Sequence, residues 1–93
     1  MLAHIKSLLR RNTSDFDNEI QGLIDQAKAD LVLGGIRAET IDESDPLIKK
    51  AIEAYCKANF GFGQEDYERL MNSYKEMKSQ LMTSVEYGSE YVE

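Results

Sequence analysis

The large apolar residues of this chain recur in steps of three and four along most of its length, a spacing that places them on helix faces. Phe16, Ile20, Leu23, Ile24, Ala27 and Leu31 fall on one stripe of a helix opening near Ser14 or Asp15. Asp17 and Glu19 sit in its first turn, where the helix dipole favours acids, and Gly34-Gly35 supplies the left-handed stop preferred at a helix C-terminus. Gly22 lies inside this helix at a cost of about 1 kcal/mol relative to alanine, which marks it as a close-packing position.

The next helix has the clearest start signal. Asp45 can cap the free amides, and Pro46, the only proline, fits the first helical position, where no donor is needed. Leu47, Ile48, Ala51, Ile52, Tyr55, Cys56 and Phe60 then form a broad apolar face that Gly61 closes. A last helix carries Tyr67, Leu70, Met71, Tyr74, Met77 and Leu81 at the same spacing. Leu2, Ile5, Leu8 and Leu9 mark a short amphipathic helix before these, too short to stand alone in water.

The expected architecture is all-α: a small bundle of three main helices plus a short N-terminal helix, with helices over about 2–11, 15–33, 46–60 and 64–82 in one domain spanning 1–82. Residues 36–44 read as a polar connection with a brief extended piece at Ile36-Arg37-Ala38. Residues 83–93, with Tyr87, Tyr91 and Val92 among acids, show no period and read as a flexible tail that orders on a partner.

At 93 residues the chain buries only about 60–65% of the surface its unfolded form exposes, so contact with further chains is an inexpensive source of stability. Charge is segregated along it. Residues 1–13 hold Lys6, Arg10 and Arg11 with no acid, whereas residues 14–35 hold five acids against one lysine. That pattern suits head-to-tail contact between copies; the plain alternative is a pair of solvated faces. The net charge of −6 repels phosphate backbones. Lys49, Lys50 and Lys57 form a weak basic footprint without an aromatic platform, and read as a polar helix face that can pair with acids of the preceding helix.

No constellation of catalytic groups converges, so no enzyme activity is expected. The single histidine, His4, lies far in sequence from the single cysteine, Cys56, whose place on an apolar stripe reads as a buried, inert thiol. One cysteine excludes an internal disulfide and, with one histidine, leaves no structural zinc set, which fits a reducing compartment. Asp15-x-Asp17-x-Glu19 has the start of a calcium loop but Ile20 where such a loop needs glycine, and Asp42-Glu43-x-Asp45 reads as a solvated loop ending in a cap. Gly61-Phe62-Gly63 follows a helix instead of a strand and lacks a third glycine at position 66, so it reads as an interhelical turn; Phe62 is either tucked over the core or offered to a partner. No cofactor or metal is called for. The opening residues have no apolar stretch of signal-peptide length and no segment reaches the roughly 20 apolar residues of a membrane span, so the protein is expected to stay where it is made or to leave within a larger particle.

The order of these features resembles one family. A short amphipathic start is followed by Asp17-x-Glu19-Ile20-x-x-Leu23-Ile24-x-x-Ala27-x-x-Asp30-Leu31, Gly35-Ile36, and Asp45-Pro46-Leu47-Ile48-x-x-Ala51-Ile52-x-x-Tyr55-Cys56-Lys57. Tyr74 on the final helix and a late Tyr87 complete the pattern. It is similar to the head–tail connector proteins of tailed phages and prophages, also described as DNA-packaging proteins; the most specific part is Asp45 to Ile48 with Ala51-Ile52 and Tyr55-Cys56-Lys57. The resemblance implies a structural virion protein made in the host bacterial cytoplasm. It would form a homo-oligomeric ring beneath the portal protein of the DNA-filled head and offer a platform for the next connector, stopper or tail protein, while DNA passes without specific binding. It brings no catalytic residues. The residues expected to make protein contacts are Lys6, Arg10, Arg11, Phe62, Tyr87, Tyr91 and Val92. The competing class is a small helical adaptor or regulator that binds a partner protein outside a virion.

Overall fold

The computed structural model describes residues 1–10, 14–60 and 64–88, with the side chains of Gln64 and Glu65 left aside. The fold is all-α. Helix α1 spans Leu2–Leu8, α2 Asp17–Leu33, α3 Pro46–Asn59 and α4 Gln64–Met82, with a short 3-10 turn at Ala38–Thr40. These bounds follow the apolar periodicity closely, save that α1 ends earlier than residue 11 and α2 starts at Asp17 behind Phe16, whose side chain makes no cap bond.

Each boundary has a local cause. At the end of α2, Gly35 takes φ 110°, and the amides of Gly35 and Ile36 return to the carbonyls of Val32 and Leu31 at 3.0 and 3.1 Å. That pairing satisfies the last free carbonyls and turns Ile36 back over Leu31, both of which join the core. At the start of α3, Asp45 Oδ1 accepts the Leu47 amide at 2.9 Å, while Pro46 occupies the first helical position. Helix α1 closes less comfortably, because the residue that follows its final turn in the left-handed region is Arg10, at φ 60°.

Helix α3 is central. It packs on α2 on one side and on α4 on the other, running antiparallel to both: Phe16 meets Phe60 edge to face at 5.4 Å, while at the other end Tyr87 reaches Asp45. Ile20, Ile24, Ala27 and Leu31 from α2 interlock with Ile48, Ala51, Ile52 and Cys56 from α3 and with Tyr74 and Leu81 from α4. Ile5 and Leu9 dock α1 onto this core. Small residues at Ala51, Ala54 and Ala58 let the neighbouring helices approach α3 closely.

A polar lock joins α2 to α4. The buried Tyr74 donates its hydroxyl to Asp30 Oδ2 at 2.6 Å, and Lys78 Nζ reaches the same oxygen at 2.9 Å. Burial alone raises the Asp30 pKa, but the bonds from Tyr74 and Lys78 outweigh it and hold the carboxyl below its ordinary value. Burial, reinforced by the bond to Asp30, pushes the Tyr74 phenol far up. The Lys78 stem lies against Gly34, where an added Cβ would stand 2.5 Å from Cε. Close packing thus occurs at Gly34, whereas a Cβ at Gly22 would meet nothing within 4 Å, which corrects the assignment of Gly22 as a packing site.

Two further expectations are corrected. Residues 36–44 are more than a polar connection, since Ile36 is 1% exposed and pairs with Gly88 in an isolated antiparallel bridge. The expectation of a structureless tail from residue 83 does not hold through Gly88: the chain turns back after α4, the Gly88 amide bonds Ser84 at 2.8 Å, and the Arg37 amide bonds the Tyr87 carbonyl at 2.7 Å. Residues 89–93 lie outside the described residues.

Candidate interaction surface

The surface of interest forms where α2 ends, α3 begins and the chain folds back after α4. The fold-back has one obligatory residue. A Cβ on Gly88 would sit 2.1 Å from the Met82 carbonyl oxygen and 2.9 Å from that of Ser84, so only glycine fits. With Gly88 seated, the Tyr87 hydroxyl donates to Asp45 Oδ2 at 2.7 Å and the Arg37 guanidinium donates to the Glu86 carbonyl. Asp45 therefore caps α3 with one oxygen and holds the C-terminal turn with the other. The hydrogen bond from Tyr87 holds the Asp45 carboxyl below its usual range, and the same bond pushes the Tyr87 phenol up to about 12.

Two recesses flank Tyr87. A groove of about 190 Å³ is floored by Leu47, Met77, Leu81 and Tyr87, with Lys50 and Glu86 among its polar residues. A more open cleft of about 290 Å³ is lined by Glu39, Asp42, Asp45 and Glu86. Asp42 accepts the Ser44 amide and hydroxyl at 2.9 and 2.8 Å, the amide bond chiefly holding its carboxyl ionised. Leu47, which lines the groove, is 54% exposed, while Val85 in the fold-back and Leu33 at the end of α2 are exposed by 94 and 86%. Leu47, predicted on the buried face of α3, instead stands at the mouth of the groove that it lines with Met77 and Leu81 of α4.

The residues expected to make contacts are dispersed. Lys6 is engaged within the chain, 2.8 Å from Asp17 Oδ1, so it ties α1 to the first turn of α2. Arg10 is exposed at the end of α1. Tyr87 is half-buried on Asp45. Arg11, Phe62, Tyr91 and Val92 lie outside the described residues, as does the Gly61-Phe62-Gly63 turn. What sequence reasoning missed is the exposed apolar set of Leu33, Leu47 and Val85, together with Gly88; the one available signal was an isolated glycine after a run of polar residues.

The groups tested for catalysis do not meet. His4 Nε2 bonds Glu53 on α3, and Cys56 is fully buried, its thiol pushed up to about 12 by burial. The ion pairs of α2 run to α1 and α4, through Lys6–Asp17 and Lys78–Asp30, instead of to Lys49, Lys50 and Lys57. Lys28 reaches across to Glu43, whose other oxygen lies 3.2 Å from the Met1 amino nitrogen. Among the described residues no three His, Cys, Asp or Glu side chains are placed to hold a metal ion, and no helix is long and apolar enough to cross a membrane.

No curated protein and no solved structure matches the chain. A family model described as "Phage connector protein" matches residues 1–88, from the first residue of the chain to the glycine that closes the C-terminal turn. Because that match takes in all four helices and the fold-back, the chain belongs to the phage connector protein family.

Proposed function

We propose that this protein is a non-enzymatic virion component that assembles as a ring beneath the portal and joins the DNA-filled head to the tail. The observation that carries the reading is the connector-family match over residues 1–88. The physical features support it: a small bundle with an apolar, acid-rimmed end has surface that a neighbouring chain can cover. A net charge of −6 suits a channel past which DNA slides, since like charge removes the counterion-release attraction by which basic channels grip. A neutral or basic lumen in the assembled ring overturns that part.

Residues 89–93, with Tyr91 and Val92, follow the closure at Gly88 and are assigned to the portal contact, because aromatic side chains bring contact area at low rotamer cost. A truncation that spares the bundle has to begin at residue 89, since Gly88 itself is built into the fold. Co-purification with the portal protein of the same phage tests the function. The full chain is expected to be retained by portal assemblies, and the chain lacking residues 89–93 to be retained less. Failure of the full chain to bind portal, with or without DNA-filled heads, contradicts the connector role.

A further inference from the structure

The groove beside Tyr87 is open apolar surface with room for one side chain. Leu47, Met77 and Leu81 line it, Leu47 stays 54% exposed, and its volume of about 190 Å³ falls below the ~300–1,000 Å³ of small-molecule sites. A recess of that size suits an anchoring side chain of another polypeptide better than a cofactor. Glu86 and Tyr87 line both the groove and the cleft, so a segment that fills one lies against the other. The cleft carries the carboxylates of Glu39, Asp42, Asp45 and Glu86. The hydrogen bonds to Asp42 and Asp45 come from neutral groups, Ser44, the Leu47 amide and the Tyr87 hydroxyl, which leave both charges in place. The nearby cations are Lys50 on the groove wall and Arg37, which lies 4.0 Å from Glu39 and donates to the Glu86 carbonyl; Lys49 lines neither recess. Acid exceeds base around the cleft, and an entering segment matches it with a cation.

We propose that the groove and cleft together seat a segment of the portal protein that presents a large apolar side chain beside an arginine or lysine, the apolar group in the groove at Leu47 and the cation in the cleft at Glu39 and Glu86. This rests on the portal reading above and names the surface that makes the contact. The order of residues points to the same partner. Glu86 and Tyr87 wall both recesses, and residues 89–93, assigned to the portal, follow directly after Gly88, so a subunit that holds them is already beside the groove. The cleft suits a side-chain cation better than a metal ion, because, among the described residues, no three carboxylates converge on one point. An arginine adds a planar fork that pairs with carboxylates and stacks on rings such as Tyr87.

The test is the affinity of full-length variants for the purified portal protein of the same phage, measured over a salt series. Leu47→Glu puts a charge into the groove and is expected to weaken binding by roughly tenfold or more. Glu39→Lys is expected to weaken it by about three- to tenfold and to flatten its salt dependence. Glu68→Lys makes the same charge change at an exposed position in the first half of α4, away from both recesses, and is expected to bind like wild type. Circular dichroism establishes that each variant is folded, and Leu47→Ala serves as a milder groove variant with a smaller loss. Leu47 and Glu39 variants that bind portal like wild type overturn the proposal. So does an equal loss from Glu68→Lys, which makes the effect one of overall charge, or a loss of self-association in place of portal affinity. Retained wild-type binding with indifferent groove variants removes this contact and leaves the connector reading standing; a wild-type chain that does not bind portal overturns both.

Discussion

Replacing Gly88 by alanine is a one-atom perturbation with a consequence that can be worked from the geometry. The added Cβ falls 2.1 Å from the Met82 carbonyl oxygen and 2.9 Å from both the Met82 carbonyl carbon and the Ser84 carbonyl oxygen. All three are main-chain atoms at the end of α4, so no side-chain rotation relieves the clash, and the turn from Thr83 to Gly88 has to open. Opening it removes the Gly88 amide bond to Ser84, the Arg37 amide bond to Tyr87 and the Arg37 side-chain bond to Glu86. At about 0.5–1.5 kcal/mol net per bond, and toward the low end because the turn is partly solvated, the loss comes to about 2–3 kcal/mol. Against the ~5–10 kcal/mol of a small domain this is a large fraction. Urea denaturation measures it, and amide exchange locates it: the Arg37 and Gly88 amides should lose protection while those of α3 keep it at matched stability. A Gly88→Ala chain within about 0.5 kcal/mol of wild type, with Arg37 still protected, refutes the closure.

The other glycine tested runs the opposite way. Gly22→Ala fills open space on α2 and should stabilise the chain by up to about 1 kcal/mol in the same titration. Arg10→Gly relieves a left-handed non-glycine residue and should raise stability by roughly 1 kcal/mol; a loss instead means that the Arg10 side chain has a structural role. Tyr74→Phe removes a bond to a charged Asp30 and should cost about 1.5–3 kcal/mol, with a crystal or NMR structure showing Lys78 still on Asp30. The Asp30, Asp42, Glu43 and Asp45 carboxyls all have folded pKa values below their unfolded ones, so the stability they contribute is present above about pH 4–4.5 and is lost as pH falls through the lower folded values. A pH series of thermal melts that is flat from pH 6 down to about 2 contradicts that linkage. Cys56, fully buried with its thiol near 12, should resist alkylation in the native chain and react at once in urea.

How much of this was legible in the sequence depended on how local each signal is. The start of α3 was readable because Asp45 and Pro46 act within three residues of one another, and the end of α2 because Gly34-Gly35 does the same. The helix faces followed from apolar spacing, including the burial of Cys56. The C-terminal closure was not readable, because its determinants are distant: Tyr87 and Asp45 are 42 positions apart, and Ile36 pairs with Gly88 across almost the whole bundle. Gly88 needs no positive φ to be essential; what excludes a side chain is a carbonyl six residues earlier. For Leu47 the spacing placed the residue on the face turned toward α4 but carried no information on the groove left open between them. Lys6 was assigned to other chains because the charge pattern alone does not reveal that Asp17 lies within 2.8 Å of it. The candidate surface therefore emerged only once the ends of three helices were placed side by side.

The connector role meets its most direct trial in electron cryomicroscopy of portal-bearing, DNA-filled heads incubated with this chain. The account predicts a closed ring of helical subunits bound beneath the portal. Heads whose portal vertex stays bare at saturating chain, or density elsewhere on the particle, contradict it.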